Sequence, residues 1–268
     1  MATDIAGMEK IAEGREAEIF AWEGGSVLRL FRDARDAASL AREAAAMRAA
    51  RSVLPLVPEV RGTTEVSGRP GLIMERIDGP DLLTIVGRKP WWVWACGSIT
   101  GSVQAQLHDV VAPESLPALR ESVAAWMARP LVPAEIAARA LRVLETLPDG
   151  DRLCHGDFHP GNILMSARGP IVIDWPNATR GDPHADFART RLLLRIGALP
   201  PGSPLIVRIS GAIGRGVVRF AYDRAYRRGR RVDMELVRRW EIVLAAHRLA
   251  DGIPEEREVL LRMLEASR

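Results

Sequence analysis

The sequence predicts an α+β protein of two lobes, a small antiparallel sheet carrying one helix and then a larger, mainly helical part. Three observations predict it. Up to about residue 77 short apolar stretches alternate with glycine-bearing turns. After Asp78-Gly79-Pro80-Asp81 apolar residues recur at helical spacing instead. Between later helices lies a loop rich in Gly, Pro and His, LCHGDFHPGNIL at 153–164, followed by one short strand pair. The expected division is 1–77 and 78–268, and 268 residues are enough to bury a sizeable core.

In the first lobe, AEIFAWEGGSVLRLF reads as two strands joined at Gly24 and Gly25, a hairpin signal. EVRGTTEVSGRPGLIMERI reads as a second hairpin turning at Gly68 to Gly71. Between them, residues 35–51 are alanine-rich, with Leu40, Ala44 and Met47 on one helical face. In the second lobe, residues 91–110, 115–128 and 133–147 read as helices. The segment 163–174, ILMSARGPIVID, reads as a hairpin turning at 167–170, and helices resume from Asp182. Asp182 with Pro183 behind it makes a good helix start.

Composition narrows the function classes. The chain is 47% hydrophobic and 26% charged, an ordinary globular balance that argues against disorder. The first residues show no secretory signal pattern. The longest uncharged run, 91–107, falls short of the roughly 20 apolar residues of a membrane span, so no membrane partner is expected. Cys96 and Cys154 are too few for a disulfide framework, and a reduced, cytoplasmic setting is expected. The net charge of +3 is nearly all arginine on the positive side, with lysine only at positions 10 and 89. The densest basic run, DRAYRRGRRVD at 223–233, lacks interleaved aromatics beyond Tyr226. It reads as a solvated helix end rather than a nucleic-acid surface. Trp91, Trp92 and Trp94 are expected to pack in the core or between lobes, and His108 at a helix end.

The loop at 153–164 carries the chemistry. Pro160 and Gly161 interrupt any helix, so Asp157 and Asn162 stand five positions apart on irregular backbone. The hairpin that follows brings the start of one strand beside the end of the other. Asn162 and Asp174 therefore fall close together, with Asp157 nearby. Two carboxylates and an amide oxygen around one point suit Mg²⁺ bound with the phosphates of a nucleotide. Asp157 is then free to orient or deprotonate a hydroxyl. This is the layout of phosphoryl transfer.

HGDFHPGNIL, followed by IVIDW and GDPHADFA, resembles the aminoglycoside phosphotransferase family of kinase-like small-molecule kinases, over most of the chain. The resemblance implies a bilobal protein-kinase-like fold. It implies a phosphotransferase that moves the γ-phosphoryl group of ATP or GTP, with Mg²⁺, to a hydroxylated small molecule. Asp157 would be the catalytic base, Asn162 and Asp174 the Mg²⁺ ligands, His155 a supporting residue of the loop, and Asp186 its brace from the next helix. The family's strand lysine, paired with a helix glutamate, corresponds to Arg29, with Glu43 as its partner. An exposed Glu43 is the other reading. Gly14 would meet the phosphates, although GxGxxG is absent, and Glu75 to Ile77 would form the hinge holding the base. The resemblance admits an antibiotic or a metabolite as acceptor, and a monomer or a homodimer as the assembly.

Two other readings stay open. His155, Asp157 and His159 alternate as H-x-D-x-H, a pattern for a metal-dependent hydrolase, although His184 and His247 stand apart from it. Arg29 in the lysine position and the poor glycine loop admit a non-catalytic nucleotide binder, a pseudokinase.

Overall fold

The computed structural model describes residues 8–13, 17–32, 37–196 and 205–266. The first part is a five-stranded antiparallel sheet of β1 (Lys10–Glu13), β2 (Ala17–Trp22), β3 (Ser26–Phe31), β4 (Val60–Val66) and β5 (Arg69–Glu75), in the order β1-β2-β3-β5-β4. The β2–β3 turn has Gly24 and Gly25 both at positive φ, the backbone that a tight hairpin needs. Helix α1 (Ala37–Val53) packs on this sheet through Leu40, Ala44, Met47 and Ala50. The expected hairpins and helix are all present. β1 was not foreseen, because four exposed residues carry no alternation.

The second hairpin turns two residues earlier than expected. Val66 pairs with Arg69 across Ser67 and Gly68, both at positive φ. Gly71 lies inside β5, where a Cβ would come 2.6 Å from the Leu28 side chain. It serves strand packing, not the turn.

The chain leaves β5 along residues 76–81 and enters a helical lobe. Its helices are α2 (Leu82–Arg88), α3 (Val93–Leu107), α4 (Leu119–Met127), α5 (Ala134–Glu145), α6 (Pro183–Ile196), α7 (Leu205–Gly229), α8 (Met234–Leu249) and α9 (Pro254–Glu265). α2 escaped the sequence reading, although Asp81 caps it by accepting the Thr84 amide at 2.9 Å. α4 starts later than expected, since Pro113 and Pro117 hold the preceding chain out of helical geometry. α3 and α7 cross closely at Gly97 and Gly101, where a Cβ would meet the Val218 and Tyr222 carbonyl oxygens at 2.2 and 2.4 Å. No described helix is long and apolar enough to cross a membrane. Trp91 and Trp94 correct the sequence reading: they are 73% and 47% exposed, Trp91 on the Pro90–Trp92 3₁₀ turn and Trp94 on the first turn of α3 against the exposed Phe220 ring.

Two short ribbons sit between α5 and α6. β6 (Arg152–Cys154) pairs with β9 (Thr179–Gly181), and β7 (Ile163–Ser166) with β8 (Gly169–Val172), both antiparallel. Cys154 stands opposite Thr179, and Ile163 opposite Val172. The loop from β6 to β7 and the loop from β8 to β9 therefore emerge side by side.

Candidate active-site cleft

Those two loops carry Asp157, Asn162 and Asp174, and all three line one cleft of ≈ 1250 Å³ between the sheet and the helices. The ribbon register makes the convergence specific. The Ile173 amide donates to the Asn162 carbonyl at 3.0 Å, which fixes Asn162 beside the residue preceding Asp174. Asn162 Nδ2 donates to the Asp157 carbonyl at 2.9 Å, which folds the loop back on itself. Nothing among the described residues engages Asn162 Oδ1. Asp174 has φ 68°, a left-handed backbone that costs a non-glycine residue on the order of 1 kcal/mol. Such strain concentrates at functional positions.

His155 is buried beneath the loop, and both of its nitrogens are used. Nδ1 accepts the Asp157 amide at 3.3 Å and Nε2 donates to the Ile173 carbonyl at 3.0 Å. The ring lies against Trp175 and Phe158. It thus ties the Asp157 loop to the exit of β8. His159 Nδ1 accepts the Gly161 amide at 3.0 Å, and its Nε2 lies 3.8 Å from Asp157 Oδ2. Burial holds its pKa below the usual range.

This geometry does not build the ligand set of the hydrolase reading. His155 has no free nitrogen. Among the described residues no group of three or more His, Cys, Asp or Glu side chains is arranged to hold a metal ion.

Asp186, on the first turn of α6, is 1% exposed and braces the loop. Its carboxylate accepts the amides of His155 at 3.1 Å and Gly156 at 2.8 Å. On its other side it accepts His108 Nε2 at 3.1 Å and Gln104 Nε2 at 3.0 Å. Burial pushes its pKa up, but the His108 hydrogen bond and charge, His155 and the loop amide outweigh that and bring it down to about 2. His108 is the helix-end histidine expected at the close of α3, and its Nδ1 meets the Tyr226 hydroxyl. Asp182 caps α6 as expected, accepting the His184 amide at 3.0 Å and Trp240 Nε1 at 2.8 Å.

At the sheet side of the cleft, Arg29 on β3 has Nη1 2.7 Å from Asp174 Oδ1 and Nε 3.4 Å from Glu43 Oε2. Glu43 is fully buried on α1, which removes the exposed reading. Glu75 and Ile77 line the cleft where the chain passes between the lobes. Glu75 is held by Arg168 at 2.6 Å, and the Met165 amide donates to the Pro80 carbonyl, pinning this passage to β7. Gly14 lies outside the described residues.

Several residues around the site went unread in the sequence. Gln104, fully buried beneath the loop, sits four positions before His108 on one face of α3, and this polar pair in an apolar helix pointed to a buried partner. Arg189, Arg248 and Asp251 line the far end of the cleft and carried no such signal.

Comparison with known proteins agrees with this fold. The amicoumacin kinase hAmiN in complex with AMP-PNP, Ca²⁺ and Ami superposes with a TM-score of 0.63 at 14% identity, over 98% of this chain and 88% of that one. An aminoglycoside-3'-phosphotransferase of type VIII gives 0.61 at 20% identity, over 88% and 93%. A putative fructosamine-3-kinase from Haemophilus somnus 129PT gives 0.60 at 12% identity, over 97% and 90%. No curated protein matches the chain. The model of the phosphotransferase enzyme family matches residues 7–220, and so the chain belongs to that family.

Proposed function

We propose that this small-molecule kinase moves the γ-phosphoryl group of ATP or GTP, with Mg²⁺, onto a hydroxyl of a small molecule. One observation carries the reading: Asp157, Asn162 and Asp174 share one cleft and are linked through the backbone of Ile173 and the Asn162 side chain. Residues 1–77 would hold the nucleotide, and 78–268 the catalytic loop and the acceptor.

Asp157 accepts the proton of the acceptor hydroxyl as its oxygen bonds to the γ-phosphorus and the bond to the β–γ bridging oxygen breaks, releasing the nucleoside diphosphate. Asn162 Oδ1 and the Asp174 carboxylate are hard oxygen donors of the kind Mg²⁺ takes. When bound, that ion neutralises phosphate charge. His155 and Asp186 position the loop. Arg29, steadied by Glu43, reaches the phosphates, and phosphate contact is the role proposed for Gly14 as well. The backbone of Glu75 to Ile77 holds the base.

The test is transfer of labelled γ-phosphate from ATP or GTP across a panel of hydroxylated acceptors, with Mg²⁺. Asp157→Ala is expected to lower kcat by about 10²–10⁴-fold while the circular dichroism is retained. Asp174→Ala is expected to abolish the Mg²⁺ dependence of nucleotide binding. An active Asp157→Ala protein contradicts the base assignment. Nucleotide binding with no transfer to any acceptor favours the pseudokinase reading.

A further inference from the structure

Past the catalytic loop the cleft is closed by α4, α6 and α8 and by the turn after α8. Arg189 and Arg248 both face this end. Apart from Asp157, Asp174 and the buried Asp186 at the loops, the carboxylate that α4, α6, α8 and the turn after α8 bring to the cleft among the described residues is Asp251. Both Asp251 oxygens are already engaged. Oδ1 accepts Trp126 Nε1 at 2.9 Å, while Oδ2 accepts Arg248 Nη1 at 2.9 Å and lies 3.6 Å from Arg189 Nη2. A polycation entering here finds, among the described residues, no unengaged carboxylate oxygen beyond those of Asp157 and Asp174 at the loops.

The two guanidinium groups are held in place and retain donors. Arg248 is gripped from behind by Glu256, through Nε at 2.7 Å and Nη2 at 2.9 Å, and Glu256 does not line the cleft. These contacts and the Asp251 bond leave further N–H groups on Arg248. Arg189 is nearly buried, donating from Nε to the Gly156 carbonyl at 3.2 Å and from Nη1 to His247 Nδ1 at 3.0 Å. A histidine that accepts from an arginine is neutral, and burial with the charges of Arg189, Arg248 and Arg129 drives its pKa well down. Burial also lowers the pKa of Arg189, with Arg248 adding to the effect. The end of the cleft that faces Asp157 thus presents two positioned guanidinium groups and one shared carboxylate, Asp251, with Glu256 behind Arg248 and off the cleft surface.

We infer that the acceptor is a small hydroxylated molecule carrying an anionic group, a carboxylate or a phosphate, which rests on Arg189 and Arg248 while its hydroxyl meets Asp157. This inference depends on the phosphotransferase reading for the role of Asp157. The charge preference itself is a binding property and is tested without nucleotide. Calorimetry on the full chain compares matched sets: glucuronate, glucose 6-phosphate, glucose and glucosamine, then hydroxy acids with their diol and amino-alcohol counterparts, and kanamycin.

At least one anionic member is expected to bind about tenfold or more tighter than its neutral counterpart, the gain of a charge-assisted hydrogen bond. The carboxylate and phosphate arms separate the two sources of charge. In Arg248→Gln/Glu256→Gln both charges of the buried pair are removed together, so folding is preserved, and that preference is expected to collapse. No anionic member outbinding its neutral counterpart at millimolar concentration, or tight binding of kanamycin, overturns the inference. Anionic binding without phosphate transfer supports it and overturns the transfer reading. Phosphorylation of kanamycin does the reverse.

Discussion

Arg29 Nη1 donates to Asp174 Oδ1 at 2.7 Å across 145 positions of sequence, joining the sheet to the loop after β8. The same guanidinium stands 3.4 Å from buried Glu43. A lysine ammonium is a point charge and does not reproduce a planar fork that faces two carboxylates at once. Arg29→Lys is therefore expected to weaken nucleotide binding by about three- to tenfold, read by calorimetry. Arg29→Ala takes the cation away from buried Glu43 and is expected to cost about 3 kcal/mol in urea unfolding. Arg29→Met/Glu43→Leu is expected to recover most of that stability without recovering nucleotide affinity. A double variant as unstable as Arg29→Ala contradicts this account of the pair.

The Asp186 carboxyl ionises near pH 2 in the folded protein, against an ordinary value of 3.8. A group lowered in this way stabilises the fold above pH 4, and the stabilisation fades as pH falls from about 4 to about 2. It amounts to about 2 kcal/mol at neutral pH. Asp186→Asn is expected to lower the unfolding free energy at pH 7 by at least that much. It is also expected to flatten the pH dependence between 2 and 4. A variant with the parent's acid profile removes Asp186 from the linkage.

Gly156 precedes Asp157 and has φ 79°, and a Cβ there would lie 2.3 Å from the Asn177 carbonyl oxygen. The left-handed backbone and the contact act together. Gly156→Ala is expected to lose about 2 kcal/mol or more of stability and to displace Asp157 and the Arg189 contact. Thermal unfolding with transfer kinetics checks this. A variant with parental melting temperature and kcat contradicts it.

Cys96 and Cys154 are both free and fully buried. Burial pushes the Cys96 thiol up to about 12, and Cys154 well above its ordinary value. At pH 8 the thiolate fraction of Cys96 is on the order of 10⁻⁴ even before access is considered. Iodoacetamide is expected to leave the folded protein unmodified and to label both residues after unfolding, counted by mass spectrometry. Rapid labelling of the native protein contradicts the burial.

Much of this was legible because it is local. Two glycines at positive φ make the first hairpin, and LeuAla-type spacing makes α1, without help from distant residues. Asp157, Asn162 and Asp174 were found together because one short hairpin, 163–172, decides their proximity. Its register is set by the two-residue turn Ala167-Arg168, which pairs Ser166 with Gly169. The exposed Trp91 and Trp94 were misread because hydrophobicity ranks a residue without saying which face of the bundle its turn points to.

The sequence by itself determined the lobe order, the ribbon that joins Asn162 to Asp174, and the irregular backbone of the loop that carries Asp157, all set by short-range patterns along the chain. Only the tertiary structure decided that Gln104 and His108 clamp Asp186, that Arg29 reaches Asp174, and that Arg189, Arg248 and Asp251 close the far end of the cleft. The physical reason is the crossing of helices and lobes. Side chains from α3, α6 and α8 meet only once close packing sets the angles between their helices, and no periodicity along a single chain encodes those angles.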